Sequence, residues 1–461
     1  MATVTENERE IPVLMQADVL VVGGGPSGLA AAIAAARCGV SVVLVERFGC
    51  FGGNITVVGV EAFAWYRYEH TVEAGGLPFE FEQRFVELAG GSLEGQSHAH
   101  SLDAEMFKYV ADVMVEDAGV TPVLHCVASA VIVEDGVIKG IITESKSGRQ
   151  AILAGAVVDC TGDADIAALA GAEFVLDAPA NLMSVTTLFC CRNVNTRRFR
   201  EYIATELKPT IRDWGAGAEL GEWSFKTSGK EDDLFSPYID KPFAEGLSEG
   251  LAHIPDGEHV SLGGTWGSIT DGGDVTQLNV VFMDAVDSTD VLDVTRAEMV
   301  GRRNAIRAIE IMRHKVPGFE NARLRNFGMT LGARESRRIV GRQSLTEHDV
   351  MNEGRFENTI GIFPEFIDGV GHIVLPTTGR YYQIPFGCLV PSGVDNLLVA
   401  GRSISGDKVA HASYRSMSCC ATTGQAAGIA AALAVKSGCT TATVDIDRLQ
   451  EAIQAQGVRI F

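Results

Sequence analysis

His411 and Arg415 stand four residues apart near the C-terminal end of the chain, and Tyr382 lies just before Ile384-Pro385. An imidazole titrates near neutral pH and is the side chain best suited to accept a proton at working pH. A guanidinium at helical spacing from it can hold a carboxylate, cap a helix or pair with a phosphate. A phenol can donate a proton, wall off a ring or simply fill a core. Arg334, Glu335, Arg337 and Arg338 form a dense charge cluster beside apolar residues. A buried ion-pair brace is the first reading of that cluster and anion binding the second. Cys50 could carry a covalent cofactor link or act as a reactive thiol, but the sequence shows no activating partner, so a packed thiol is preferred. His98 and His100 flank Ala99. With no third ligand evident they read as solvated loop residues, and no metal site is expected.

What must position such groups begins at Ala17–Arg47, ADVLVVGGGPSGLAAAIAAARCGVSVVLVER. The apolar run Val19 to Val22 suits a parallel strand buried on both faces. Gly23 permits a tight turn, Gly25 a close approach to a pyrophosphate, and Gly28 close packing of helix on strand. Pro26 and Ser27 open that helix, whose N-terminus offers unpaired N–H groups to phosphates. Gly39 stops the helix, a second strand follows, and Glu46 ends it where a carboxylate can accept both hydroxyls of a ribose. Together these predict a dinucleotide site.

Net charge is −21, which argues against nonspecific nucleic-acid binding and against an anionic membrane surface. The ten cysteines include no C-x-x-C pair and read as buried reduced thiols. No uninterrupted apolar run reaches spanning length, and the first residues lack a signal-peptide pattern, so a cytoplasmic protein is expected.

A loose polar lead precedes residue 17, and residues 48–100 read as irregular. DAEMFKYVADVMVEDA (103–118) carries apolar residues at helical spacing. Strands follow, with hairpins at Asp135-Gly136 and Ser147-Gly148, ending in the apolar run Ala156 to Cys160. Residues 175–330 mix short strands (Thr186–Cys191, Gln277–Met283), acidic loops and a helix from Thr295 to Lys315. NLLVAG (396–401) is another short strand, and a small-residue helix runs from about Ser413 to Ser437. An antiparallel meander after the parallel strands marks the flavin-binding variant of the Rossmann fold. The expected architecture is therefore α/β. It comprises a Rossmann-like FAD-binding domain, with a central parallel sheet and a strand meander, and a second α+β substrate domain. Residues 1–174 begin the first domain, 175–330 form the second, and 331–461 return to the first, with 342–385 open between them.

Five segments resemble the FAD-dependent oxidoreductases of the glutathione-reductase-like flavoprotein superfamily. They are the fingerprint above, ERFGCFGGN (46–54), VVDCTGDADIAALAGAEF (157–174), GARESRRIVG (332–341) and the stretch from IPFGCLVPSGVDNLLVAGRSIS to GQAAG (384–428). The resemblance implies FAD as cofactor, with Gly23, Gly25, Ser27 and Gly28 on its pyrophosphate and Glu46 and Arg47 at its adenosine. It places Gly52, Gly53 and Asn54 along the diphosphate and ribityl chain, and Val127 against adenine through its backbone. Thr161 and Gly162 would close over the adenosine half, and Gly401 and Arg402 would touch the ribityl chain. His411, Arg415 and Tyr382 are then the catalytic candidates.

The chain departs from many relatives at Ile384-Pro385-Phe386-Gly387, where they read IPYR, and at Asp407-Lys408, where they often have Thr-His. It contains a single complete strand–glycine turn–helix unit and no C-x-x-x-x-C redox pair. A small-molecule substrate should thus reduce the flavin itself, passing a hydride from a C–H to flavin N5, with oxygen, a quinone or an electron-transfer protein as acceptor. A flavin monooxygenase is the second reading and a flavin-binding protein without turnover the third. A homo-oligomer is compatible with all three.

Overall fold

A computed structural model describes residues 3–5, 8–63, 73–90, 100–207, 224–226, 238–370, 372–374 and 379–461. His98 lies outside these residues. The strand Val13–Val22 runs into the glycine turn, and the helix Pro26–Arg37 returns the chain to the strand Val42–Val45. The two strands pair in parallel, Val19 opposite Val42. Thr121–Val123 adds a third parallel strand beside Val42–Val45.

On the other side of the first strand lies Gly148–Asp159, twelve residues long. It pairs parallel to Val13–Val22 and antiparallel to Val137–Ser145, which in turn pairs antiparallel to Val127–Glu134. One strand therefore serves both the parallel sheet and the meander. Leu397–Val399 joins the outer part of the same strand in parallel, Leu397 opposite Val157, completing a seven-stranded sheet. The chain thus leaves this sheet and comes back to it.

The helix Met417–Ser437 closes over the sheet. It is long and apolar enough to cross a membrane by composition, but 89% of its most apolar window is buried inside the protein. Its glycines allow contact with Pro26–Arg37 at backbone distance. A Cβ at Gly424 would lie 2.1 Å from the Ser27 carbonyl oxygen, and one at Gly428 2.0 Å from that of Ala31.

Between Leu397 and its first exit the chain builds a second sheet. Val275–Met283 pairs antiparallel with Val185–Thr186, Phe189–Arg192 and Val260–Thr265, and Phe189–Arg192 pairs with Arg323–Phe327. The 25-residue helix Val291–Lys315 packs on it, and Phe199, Trp266, Ala308, Met312 and Phe319 share a core there. Residues 342–385 put Leu345, Val350, Ile360, Phe363 and Tyr382 into the core of the first sheet.

Several elements differ from the sequence reading. A helix, Leu77–Ala89, lies within the stretch read as irregular. Its Phe81 and Phe85 are buried, but the helix is only 13 residues long between Gly76 and Gly90, too short for its periodicity to stand out from the surrounding glycines. The strand expected at 186–191 is interrupted between Thr186 and Phe189. The helix expected from Ser413 is two helices, Lys408–Tyr414 and Met417–Ser437, broken at Arg415-Ser416. His411, read as a loop residue, is on the first of them.

Candidate active site

The glycine turn is built from backbone contacts that side chains would destroy. A Cβ at Gly28 would lie 1.7 Å from the Gly23 carbonyl oxygen, so the helix begins directly against the strand it follows. Gly25 caps that helix without a side-chain hydrogen bond, and its first turn carries no acidic residue. Its free N–H groups and positive dipole end therefore remain available to an anion. Gly53 stands across from it with φ 49°, and a Cβ there would come within 2.6 Å of the Gly25 Cα. The Gly52 N–H donates to the Gly24 carbonyl at 2.8 Å and fixes that approach.

Glu46 is 6% exposed. Its Oε2 accepts from the Gly24 N–H at 2.6 Å and its Oε1 from the Phe48 N–H at 2.9 Å. A carboxylate has about four acceptor sites, so capacity for two hydroxyls remains.

Asp159, not singled out by the sequence reading, shapes the next loop. Its Oδ1 accepts from the Thr161 N–H at 3.0 Å and from the Thr161 hydroxyl at 2.7 Å, and its Oδ2 from the Ala167 N–H at 2.9 Å. Burial pushes its carboxyl up to about 6 against the pull of those bonds. Asp163 accepts from Arg402 Nη2 at 2.6 Å and from the Ser336 hydroxyl at 2.5 Å. Burial alone would raise it, but Arg402 and Ser336 outweigh that and hold it below the usual aspartate range. Gly401, φ 89°, donates its N–H to the Thr423 hydroxyl at 3.0 Å.

Beside these loops lies a cavity of about 820 Å³, at the upper end of the range for small-molecule sites. Of the residues expected at the cofactor, Gly23, Gly25, Pro26, Ser27, Glu46, Arg47, Gly53, Asn54, Val127, Thr161, Gly162, Gly401 and Arg402 line it. Gly28 and Gly52 do not, and act on the backbone behind it. The glycines form a cradle: a Cβ at Gly401 would lie 2.9 Å from Ser27 Oγ, and one at Gly162 3.0 Å from Arg402 Nη1. An acidic residue at one wall, free helix N–H groups and this narrow glycine-lined passage fit an adenosine diphosphate moiety.

The catalytic candidates separate. Arg415 lines the cavity. His411 does not. It is 1% exposed, with neither ring nitrogen hydrogen-bonded among the described residues, and packs edge-on to Tyr414. Burial, reinforced by Arg338, Arg415, Arg402 and Lys408, holds its basicity well below the usual histidine range, so it is neutral at working pH. Tyr382 does not reach the cavity either. It is fully buried, shares a 2.9 Å hydrogen bond with Ser413, and burial pushes its phenol well above the usual range. Both are core residues. Local pattern could not show this: Tyr382 is on the strand Tyr381–Pro385 and His411 on the helix Lys408–Tyr414, and which side of each turns inward is set by packing.

The arginine cluster divides too. Arg338 and Glu335 form a buried pair at 2.6 Å, and Arg337 Nη1 reaches Asp165 at 2.9 Å; these are the brace. Arg334 instead lines the cavity. Cys50 is buried and points to Thr56, and burial pushes its thiol up, so it is not an activated nucleophile.

The second sheet adds residues to the cavity that no motif marked: Thr265, Trp266, Gln277 and Asn279. Gln277, with φ 47°, accepts at Oε1 from the N–H groups of Glu61 (2.6 Å) and Ala62 (2.9 Å). The signal available was the alternation of two polar residues in the apolar strand VTQLNVVFM, which puts Gln277 and Asn279 on one face.

A family model described as FAD dependent oxidoreductase matches residues 18–453. The chain belongs to that family. It is an enzyme and a flavoprotein, with FAD as its cofactor. Over 150 residues it is 29% identical to digeranylgeranylglycerophospholipid reductase 1 of Methanopyrus kandleri, covering 32% of this chain and 40% of that protein. Over 157 residues it is 30% identical to thiamine thiazole synthase of Methanococcus vannielii, covering 32% of this chain and 57% of that protein. Both matches span well under two thirds of the relative's length. Among solved structures it resembles a geranylgeranyl bacteriochlorophyll reductase-like protein of Thermoplasma acidophilum, with TM-score 0.47 and 13% identity over 97% of this chain and 85% of that one.

Proposed function

We propose that this flavoprotein is a dehydrogenase or oxidase of the glutathione-reductase-like superfamily that removes a hydride from a C–H bond of a small organic substrate. The observation that carries the reading is the continuity of the cavity. The same space is lined by the glycine turn and by Trp266, Gln277, Asn279 and Phe366, so a substrate can lie against a bound flavin. Bound FAD supplies a two-electron acceptor that takes a hydride at N5.

The chain's own residues divide the remaining work. Glu46 and Arg47 would hold the adenosine end, and the Gly25 and Gly53 backbones the diphosphate. Ser416 and Met417 line the cavity at the N-terminus of the long helix, whose positive dipole end would favour negative charge on the flavin ring. Trp266 and Phe366 would exclude water from the substrate. We assign residues 1–174 and 331–461 to the flavin-binding domain and 175–330 to the substrate domain. The shared core of residues 342–385 favours placing them with the former. A cytoplasmic location goes with this reading.

The test is anaerobic reduction of the purified, FAD-loaded enzyme by a panel of alcohols, amines and acids, followed in the visible flavin bands. Bleaching by one class without added nicotinamide supports the proposal. Consumption of NADPH coupled to oxygen uptake, with no anaerobic bleaching by any substrate, would replace it with the monooxygenase reading.

A further inference from the structure

We infer that the cavity binds its substrate through a carboxylate, held between Arg334 and Arg415. The inference rests on the reading above, since it names the substrate class of the same site.

Among the described residues Arg334 uses one of its five donors: Nη1 gives a 2.8 Å hydrogen bond to the Ser184 carbonyl. Its guanidinium lies over the Phe282 ring, 5.0 Å from the centroid, and among the described residues it has no carboxylate in ion-pair range. Arg415 donates from Nη2 to the Asp368 carbonyl at 2.8 Å and to its Oδ2 at 3.3 Å. Its Nε is buried without a partner among the described residues. A buried N–H without a partner, as at Arg415 Nε, is costly unless a ligand takes it up, and the partly exposed Arg334 lines the same cavity. The two cations also feel each other: burial and then Arg415 lower the Arg334 guanidinium to about 10.

The charge on this wall decides the kind of anion. Arg334 and Arg415 contribute two positive charges and Asp368 one negative, leaving a single positive charge on this wall of the cavity. The neighbouring groups cancel in pairs, Arg338 with Glu335 and Lys408 with Asp177. A monoanion balances the wall, and the planar fork of a guanidinium matches a carboxylate by two parallel bonds. Phe366 and Leu331 line the same space and suit an apolar body behind that headgroup.

The test titrates the FAD-loaded protein with benzoate, benzamide and inorganic phosphate, following the flavin absorption difference spectrum. Benzoate should give a saturable change, and benzamide should bind at least about tenfold more weakly, as expected for loss of a charge-assisted bond. Arg334→Gln and Arg415→Gln should each weaken benzoate by a similar factor while retaining flavin. Asp368→Asn, which keeps an acceptor for Arg415 but removes the negative charge, should tighten it. Benzamide binding as well as benzoate, phosphate binding better than benzoate, or Asp368→Asn weakening benzoate would each overturn the inference. Because binding is read without turnover, failure of hydride transfer leaves a positive titration intact. Reduction by uncharged alcohols with no benzoate effect would sink only the carboxylate.

Discussion

Arg402 Nη2 lies 2.6 Å from Asp163 Oδ1, joining segments 239 positions apart in the chain. Arg402 follows the strand that returns to the first sheet, and Asp163 follows the strand it pairs with, so this one contact fixes how the loop 161–163 meets the returning segment. The side chains are only 21% and 14% exposed. Replacing Arg402 by Leu leaves a buried carboxylate uncompensated and should cost about 3–5 kcal/mol, with faster loss of FAD. The double variant with Asp163→Asn should be less destabilised than the sum of the singles, which a thermal-unfolding cycle would show. Since the Asp163 carboxyl is held below its usual value, its contribution exists above the ordinary aspartate range and disappears as pH falls through the lower folded value.

Glu61 predicts the opposite pH dependence. It is 3% exposed and accepts from the Thr276 hydroxyl at 2.5 Å. Burial pushes its carboxyl up to about 7, partly offset by Thr276 and increased by Asp103. The unfolded chain ionises first, near 4.5, so stability falls between about pH 4.5 and 7 and is level above that. The penalty at pH 8 is on the order of 3 kcal/mol. Glu61→Gln should remove it, raising the melting temperature at pH 8 and leaving it nearly unchanged at pH 4. An equal shift at both pH values would show that Glu61 folds ionised.

The glycines at the interface between Pro26–Arg37 and Met417–Ser437 predict a packing cost. An alanine at Gly428 would place its Cβ 2.0 Å from the Ala31 carbonyl oxygen, and neither backbone can yield without separating the helices. Gly428→Ala should destabilise by about 1–3 kcal/mol despite the better helix propensity of alanine. Gly438→Ala is the comparison. It lies at φ 64° with open space around it, so its cost should come from backbone strain alone and should leave FAD affinity unchanged. Chemical denaturation and flavin-release titrations of the two variants separate these causes.

How far the sequence carried depends on the range of the interaction involved. The glycine turn, Glu46 and the hairpin at Asp135-Gly136 were legible because each is specified by a few adjacent residues and their backbone geometry. Gly401 and Arg402, the cavity-lining residues expected in the return segment, were reachable through the resemblance. What could not be read was side-chain direction. His411 and Arg415 share a spacing that suggests one face, but the helix ends at Tyr414, and the break at Arg415-Ser416 turns the arginine into the cavity while the histidine stays in the core. Likewise Arg334 sits next to Glu335 in sequence, yet only Glu335 finds Arg338. Local alternation puts Gln277 and Asn279 on one face of their strand, but that this face meets the cavity depends on tertiary pairing of the second sheet.

That separation makes Glu46 and His411 a decisive pair. Glu46→Ala removes the acceptor for the Gly24 and Phe48 N–H groups and the carboxylate lining the cavity, so the turn loosens and the adenosine contact proposed above is lost. FAD affinity should fall by at least about tenfold. His411→Leu replaces a buried imidazole, neutral and without hydrogen bonds among the described residues, by an apolar group of similar size. It should retain FAD, match or exceed the parent in thermal stability, and leave the pH profile of flavin reduction unmoved. If His411→Leu instead abolished the alkaline or acid limb of that profile while FAD stayed bound, the imidazole would be exchanging protons with the reacting groups and its placement in the core would be wrong.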